Sequence, residues 1–185
     1  MSNLVVYCED EEGKNYPLQT VADAAGKILN QSAPLAIEVA FVGEDEIRAL
    51  NRDKRGKDAV TDVLSFPYYD GIRRKTIDIN DYAGDVDEED GRLLIGSICV
   101  CEKRAKEQAA DFGHSVSREV CYLVAHGILH CFGYDHIEKN DEEEMTALAE
   151  KIISLEDNLD FLRYLHAKSG REFEPPIHYS SQLIF

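Results

Sequence analysis

The chain lacks any apolar run approaching the 18 or so residues that a membrane-spanning helix needs. Its first residues, MSNLVVYCEDEEGK, carry no basic n-region and no apolar h-region, and they are acidic where a mitochondrial transit peptide is rich in arginine. No internal repeat or low-complexity segment is present. No C-x-x-C pair occurs among the five cysteines, Cys8, Cys99, Cys101, Cys121 and Cys131, so a disulfide framework is not expected and reduced, buried thiols are. These absences point to a protein of the cytoplasm with no membrane partner. Positive charge is also scarce. Against 36 acidic side chains stand 20 basic ones, a net charge of −16, whereas a protein that grips nucleic acid usually shows a basic footprint.

What is present fits one domain. A chain of 185 residues with 44% hydrophobic and 30% charged side chains can bury a genuine core. The charge is segregated. Five basic residues (Arg48, Arg52, Lys54, Arg55, Lys57) and one acidic residue, Asp53, lie between positions 48 and 57, and Arg73, Arg74 and Lys75 form a second basic cluster. Acid gathers at Asp81, Asp85, Asp87, Glu88, Glu89 and Asp90, and again over 141–144. Each run also reads as plain solvated surface.

Periodicity predicts strands over 3–7, 36–42, 63–66 and 93–101, the last central. It predicts helices over 20–29, 45–52, 102–112, 117–132 and 140–155. In the third of these helices Ala105, Ala109 and Phe112 are expected to face inward, and in the last Met145, Leu148, Ala149, Ile152 and Ile153. Residues 70–90 are expected to form a mobile loop or hairpin. The expected fold class is α+β: a small mixed β-sheet with packed helices, one of them a zincin-like metal helix. A single metal-hydrolase domain is expected over 1–155. A C-terminal helical extension and tail should occupy 156–185, helical through Leu165 and then broken around Gly170 and Pro175–Pro176.

The chemistry is concentrated in HGILHCFGYDH, residues 126–136. On a helix, residues four apart share a face, so His126 and His130 can offer two imidazoles to one ion. Gly133 can take the left-handed conformation that ends a helix and turns the chain, bringing His136 back to the same point. Three neutral imidazoles at about 2.0–2.1 Å leave one tetrahedral position of zinc open, the catalytic arrangement, in which the pKa of bound water falls to roughly 7. The spacing is that of H-E-x-x-H-x-x-G-x-x-H, but Gly127 stands where zinc proteases place their glutamate base. The cage is kept and the proton carrier of peptide hydrolysis is missing. Asp135 either orients a ligand or caps its own backbone. His114, His166 and His178 have no such context.

A second constellation lies upstream, Leu50-Asn51 and Arg55 followed by TDVLSFP at 61–67. Arg55 can fork onto phosphate oxygens and steady a phosphoryl transition state, or it is a solvated helix-end arginine. Thr61 and Asp62 organise the loop before the strand. Ser65 can touch a ligand but has no partner base in view.

Together these residues resemble the YbeY family of bacterial and organellar endoribonucleases. HGILHCFGYDH is similar to its H-G-x-L-H-x-x-G-Y-D-H signature, and LN…R…TDVLSFP to its second motif, over roughly Val5 to Ser154. The resemblance implies a zinc-dependent, single-strand-specific endoribonuclease. It implies action in ribosomal RNA maturation, notably at the 3′ end of the small-subunit (16S) RNA, and in ribosome quality control. The partners implied are single-stranded and ribosomal RNA, the small ribosomal subunit and assembly factors. By position His126, His130 and His136 match the metal ligands, for one Zn2+, and Arg55 the arginine implicated in activity. Departures are Ser97, where the family's L-G-D-I strand has an acid, and Cys131 and Phe132 in place of leucines. The alternatives are a zinc hydrolase of another ester or amide and a non-catalytic assembly factor whose metal only stabilises the fold.

Overall fold

The computed structural model describes residues 3–169, with side chains described through Leu155. The tail expected around Gly170 and Pro175–Pro176 lies outside the described residues. Four strands form one sheet: β1 (Leu4–Tyr7), β2 (Leu35–Phe41), β3 (Val63–Pro67) and β4 (Leu93–Val100). The spatial order is β1-β2-β4-β3. β1 pairs with β2 and β2 with β4 in parallel, and β3 closes the sheet antiparallel to β4. The sheet is therefore mixed, as expected for the α+β class, and the very apolar β4 is central.

Five helices accompany it: α1 (Leu18–Ile28), α2 (Glu44–Arg55), α3 (Glu102–Phe112), α4 (Val116–Cys131) and α5 (Lys139–Ser169). α5 thus runs unbroken past the boundary placed at residue 155. α2 is written for its dipole, with Glu44, Asp45 and Glu46 in its first turn and Arg52, Lys54 and Arg55 in its last. Gly56, at φ +70°, ends it. α4 starts at Ser115, whose hydroxyl accepts from the Arg118 amide at 3.1 Å. It is buried nearly all round because it touches β3, β4, α1, α3 and α5 at once.

The main core lies between the sheet and α1, α4 and α5, where Leu4, Val21, Leu35, Ile37, Ile95, Ile98, Val124, Ile128, Met145 and Ile152 are fully buried. A smaller cluster of Ile47, Leu64 and Cys101 seats α2 against β3, with Cys99 beside it. None of the five cysteines is in a disulfide.

Two expectations are corrected. Phe112 does not face inward. It is 70% exposed and stacks on His114 with ring centroids 5.9 Å apart. It is the last residue of α3, before the left-handed Gly113, so the chain has turned away before any element can cover the ring. Residues 70–90, expected to form a mobile loop or hairpin, do carry a hairpin-like bridge but are anchored in the core rather than free. Ile72 and Ile77 are buried in the main core, a short 3-10 turn spans Ile79–Tyr82, and Val86 makes one antiparallel bridge to Leu93.

Candidate metal centre

α4 lies close enough to β4 that two glycines are required at the contact. A Cβ on Gly127 would stand 2.8 Å from Ile98 Cδ1, and one on Gly96 would stand 2.5 Å from Cys131 Sγ. Ile98 pairs with Ser65 and Gly96 with Pro67 across the β3–β4 ladder. Four residues of helix rise about 6 Å and two of strand about 6.8 Å, so α4 advances in step with β3. His126 and His130 directly precede Gly127 and Cys131, the residues of these two close approaches, and so fall near the levels of Ser65 and Pro67 along the β3–β4 ladder.

The turn after α4 follows from Gly133. With φ at +81°, its N–H donates to His130 O at 2.8 Å and the Tyr134 N–H to Leu129 O at 3.0 Å, the paired bonds of a Schellman motif. This turn points the Tyr134 carbonyl back at α4, where it accepts from His130 Nδ1 at 2.9 Å. A carbonyl can only accept, so His130 carries its proton on Nδ1 and leaves the Nε2 lone pair free. That Nε2 faces His126 Nε2 at 3.1 Å. His136 completes the group, its ring centroid 5.5 Å from that of His126 and 5.1 Å from that of His130. One ligand atom of each histidine lies within 4.8 Å of the others.

Burial and neighbouring charge favour the neutral forms of His126 and His130. Burial, then the neighbouring His130 and His136, hold the pKa of His126 down at about 4, and the Arg55 guanidinium adds to this. Burial also lowers that of His130, with Arg55 again contributing. Arg55 is exposed at the end of α2, and its Nη2 donates to Ser65 O at 3.2 Å. Its charge is thus moored on the edge strand, from which it disfavours protonation of both rings. The free lone pair of His130 Nε2, turned towards His126 Nε2, is one that an ion would satisfy. Two nitrogens bound tetrahedrally at about 2.0–2.1 Å would be about 3.3 Å apart, close to the separation observed. The three histidines can therefore hold a metal ion.

Other residues singled out in the sequence fall outside this cluster. Asp135 caps its own turn, accepting from the Ile137 amide at 3.2 Å. Asp62 accepts from Thr61 Oγ1 at 3.0 Å, the Val63 amide at 2.8 Å and Gln108 Nε2 at 2.8 Å, and so organises the loop before β3. Ser65 is buried and contributes its carbonyl. Ser97 lies on the strand between Gly96 and Ile98, which both face α4, so alternation puts it on the opposite face of the sheet. His114 pairs with the buried Glu119 at 3.0 Å. The side chains of His166 and His178 lie outside the described residues. The group that motif reading missed is the Tyr134 carbonyl. Its only signal was its place directly after the glycine of a helix-ending turn. Among the described residues no helix is long and apolar enough to cross a membrane.

The family model described as Endoribonuclease YbeY matches residues 8–156. The Endoribonuclease YbeY of Clostridium kluyveri is 42% identical over 123 residues, 65% of this chain and 75% of that protein. That of Clostridium botulinum strain Loch Maree is 37% identical over 147 residues, 78% of this chain and 88% of that protein. The solution structure of TM1509 from Thermotoga maritima shares the fold, with a TM-score of 0.54 at 24% identity over 95% of this chain and 99% of that one. With the family model spanning most of its length, the chain belongs to the endoribonuclease YbeY family.

Proposed function

We propose that the chain is a zinc-dependent, single-strand-specific endoribonuclease of the cytoplasm. In this reading it matures ribosomal RNA at the 3′ end of the small-subunit RNA and serves ribosome quality control, working with the small subunit and its assembly factors. The catalytic domain is residues 1–155, with 156–185 as an appendage. The observation that carries the reading is the convergence of three imidazole nitrogens within 4.8 Å beside a guanidinium moored on the neighbouring strand.

His126, His130 and His136 would hold the ion, one Zn2+, because an all-imidazole set suits zinc. When bound, zinc supplies Lewis acidity, which polarises a phosphoryl oxygen and acidifies water. The chain's own residues do the rest. The Tyr134 carbonyl fixes the tautomer and orientation of His130. Arg55, always charged, receives a phosphate and steadies the charge that develops on it. Its hydrogen bond to Ser65 O uses one N–H of a five-donor fork, leaving donors for substrate oxygens. Gly127, closed against Ile98, keeps a protease-type glutamate out of the site.

The test is metal content by atomic absorption, with cleavage of a defined single-stranded RNA and of a peptide assayed separately. The wild type should carry one zinc and cleave RNA alone. His126→Ala should lose both metal and cleavage, and Arg55→Ala should lose cleavage and keep the metal. Peptide cleavage without RNA cleavage would overturn the reading. So would unchanged ribosomal RNA processing in cells carrying His130→Ala at normal abundance, which would favour a non-catalytic assembly factor.

A further inference from the structure

The three histidines are not held alike. His126 and His130 ride on a helix packed on every side, whereas His136 is exposed on the connection from α4 to α5. The hydrophobe beside it anchors nothing, since Ile137 is 84% exposed. Between the buried Tyr134 and the buried Met145, no apolar side chain of this connection enters the core. Something else must fix the third imidazole.

The segment 72–74 meets both ends of that connection. At its start, a Cβ on Gly133 would lie 3.2 Å from the Arg73 amide nitrogen, so this backbone is packed against the turn. The Arg73 guanidinium sits over the Tyr134 ring, 5.4 Å from the centroid, in a cation–π contact. At the far end, Arg73 Nη2 donates to Asp141 Oδ1 at 2.5 Å and to Glu144 Oε2 at 2.6 Å in the first turns of α5. Arg74 holds Glu144 a second time, through Nε at 3.0 Å and Nη2 at 2.8 Å. Two costs are accepted to keep this arrangement. Arg74 has φ at +60°, which a side chain with a Cβ rarely adopts. Arg73 Nε is buried with no hydrogen-bond partner among the described residues.

We infer that Arg73 is a positioning residue for the metal centre: one guanidinium staples both ends of the loop that carries His136, Tyr134 before it and Asp141 with Glu144 after it. The inference rests on the metal reading above and adds to it a residue outside both sequence motifs. Tyr134 is doubly engaged, because the residue whose ring lies under Arg73 is also the one whose carbonyl orients His130. Without the staple, His136 samples many positions, and an ion gains little from a third ligand that is seldom in place. Groups that orient ligands in this way typically change metal affinity about 10–100-fold when removed.

Cobalt(II) affinity, measured on the full chain by competition with a chelator, tests this in four proteins: wild type, Arg73→Met, His136→Ala and the double variant. Arg73→Met should bind about 10–100-fold more weakly than wild type, with the visible spectrum of cobalt showing a lost nitrogen ligand. In the His136→Ala background, Arg73→Met should weaken binding much less than in the wild-type background, since the ligand it chiefly positions is already gone and only the Tyr134 contact is left to lose. Wild-type affinity in Arg73→Met overturns the inference. An equal loss in both backgrounds also overturns it, because Arg73 would then act on the fold as a whole. Should Arg73→Met fail to fold by circular dichroism, Asp141→Asn with Glu144→Gln opens the same staple from α5, and wild-type affinity in that protein overturns the inference equally. Failure of the metal reading looks different: the wild type itself binds no cobalt, and the role of Arg73 falls with it.

Discussion

Replacing Gly127 with alanine should destabilise the protein although it improves helix propensity, and the structure sets the size of the effect. Alanine in a helix interior is favoured over glycine by about 0.8–1.0 kcal/mol. Against this, the new methyl group would meet Ile98 at 2.8 Å (Cδ1), 2.9 Å (Cγ2) and 3.0 Å (Cγ1). Ile98 is fully buried on the central strand and, being β-branched, has little rotamer freedom with which to yield. Forcing a methyl group into a packed core costs about 1–3 kcal/mol. The net loss is therefore about 0–2 kcal/mol, a fall in Tm of up to about 8 °C for a domain of this size. Chelator-treated wild type and Gly127→Ala should be compared by urea unfolding, so that metal affinity does not enter. Ile98→Val, which removes the nearest contacting atom, should reduce the cost of Gly127→Ala in its own background. A gain in stability matching the propensity difference would show that α4 does not approach β4 as closely as described. Gly127→Glu extends the argument. Restoring the residue of a zinc protease should give an unfolded or aggregated protein, not a peptidase, because the position faces the sheet and a carboxylate there has no partner.

The remaining predictions concern titration, the thiols and Arg55. The pKa of His126 is held at about 4 in the fold against an ordinary value of 6.5, so between these values the unfolded chain binds more protons than the folded one. The metal-free protein should lose stability as pH falls from 6.5 towards 4, with that slope reduced in His126→Asn; urea midpoints at several pH values measure it. Burial pushes the Cys131 thiol up to about 12, and Cys101 and Cys121 are also buried, so none of the three should react with a thiol reagent at pH 8 before unfolding. Arg55→Lys should recover little of the RNA cleavage lost in Arg55→Ala, since an ammonium cannot hold the Ser65 carbonyl and fork onto a phosphate together; comparison of kcat/KM for the three proteins decides it.

Much of the ligand geometry was legible in the sequence because it follows from local rules. A four-residue offset on a helix and a glycine at its end are statements about backbone geometry, and they place His126, His130 and the turn without tertiary information. Strand β4 was legible for the same reason, since an apolar run of that length has few other places to go. What could not be read depends on which elements meet. Phe112 continues the stripe of Ala105 and Ala109 by period, yet it is exposed because the helix ends there. Residues 70–90 have the composition of free loop, yet Ile72 and Ile77 enter the core. Arg73 looked like one member of a solvated basic run, and nothing in its neighbours signals that Asp141 and Glu144 arrive opposite it.

The meaning of Gly127 shows how the two levels combine. From the motif alone, a glycine at this position is a deletion: the proton carrier of a protease has been lost. From the packing, it is a requirement. Helix α4 can lie in step with β3 only if it approaches β4 closely, and it approaches closely only where Gly127 meets Ile98 and Gly96 meets Cys131. That close approach brings His126 and His130 near the levels of Ser65 and Pro67 along the β3–β4 ladder, where Arg55 is moored. The glycine that removes peptide chemistry from this site is therefore the same residue that lets the imidazoles and the guanidinium share one edge of the sheet. A glutamate at 127 would not add a base to this centre. It would lift α4 from the sheet and separate the ligands from the arginine.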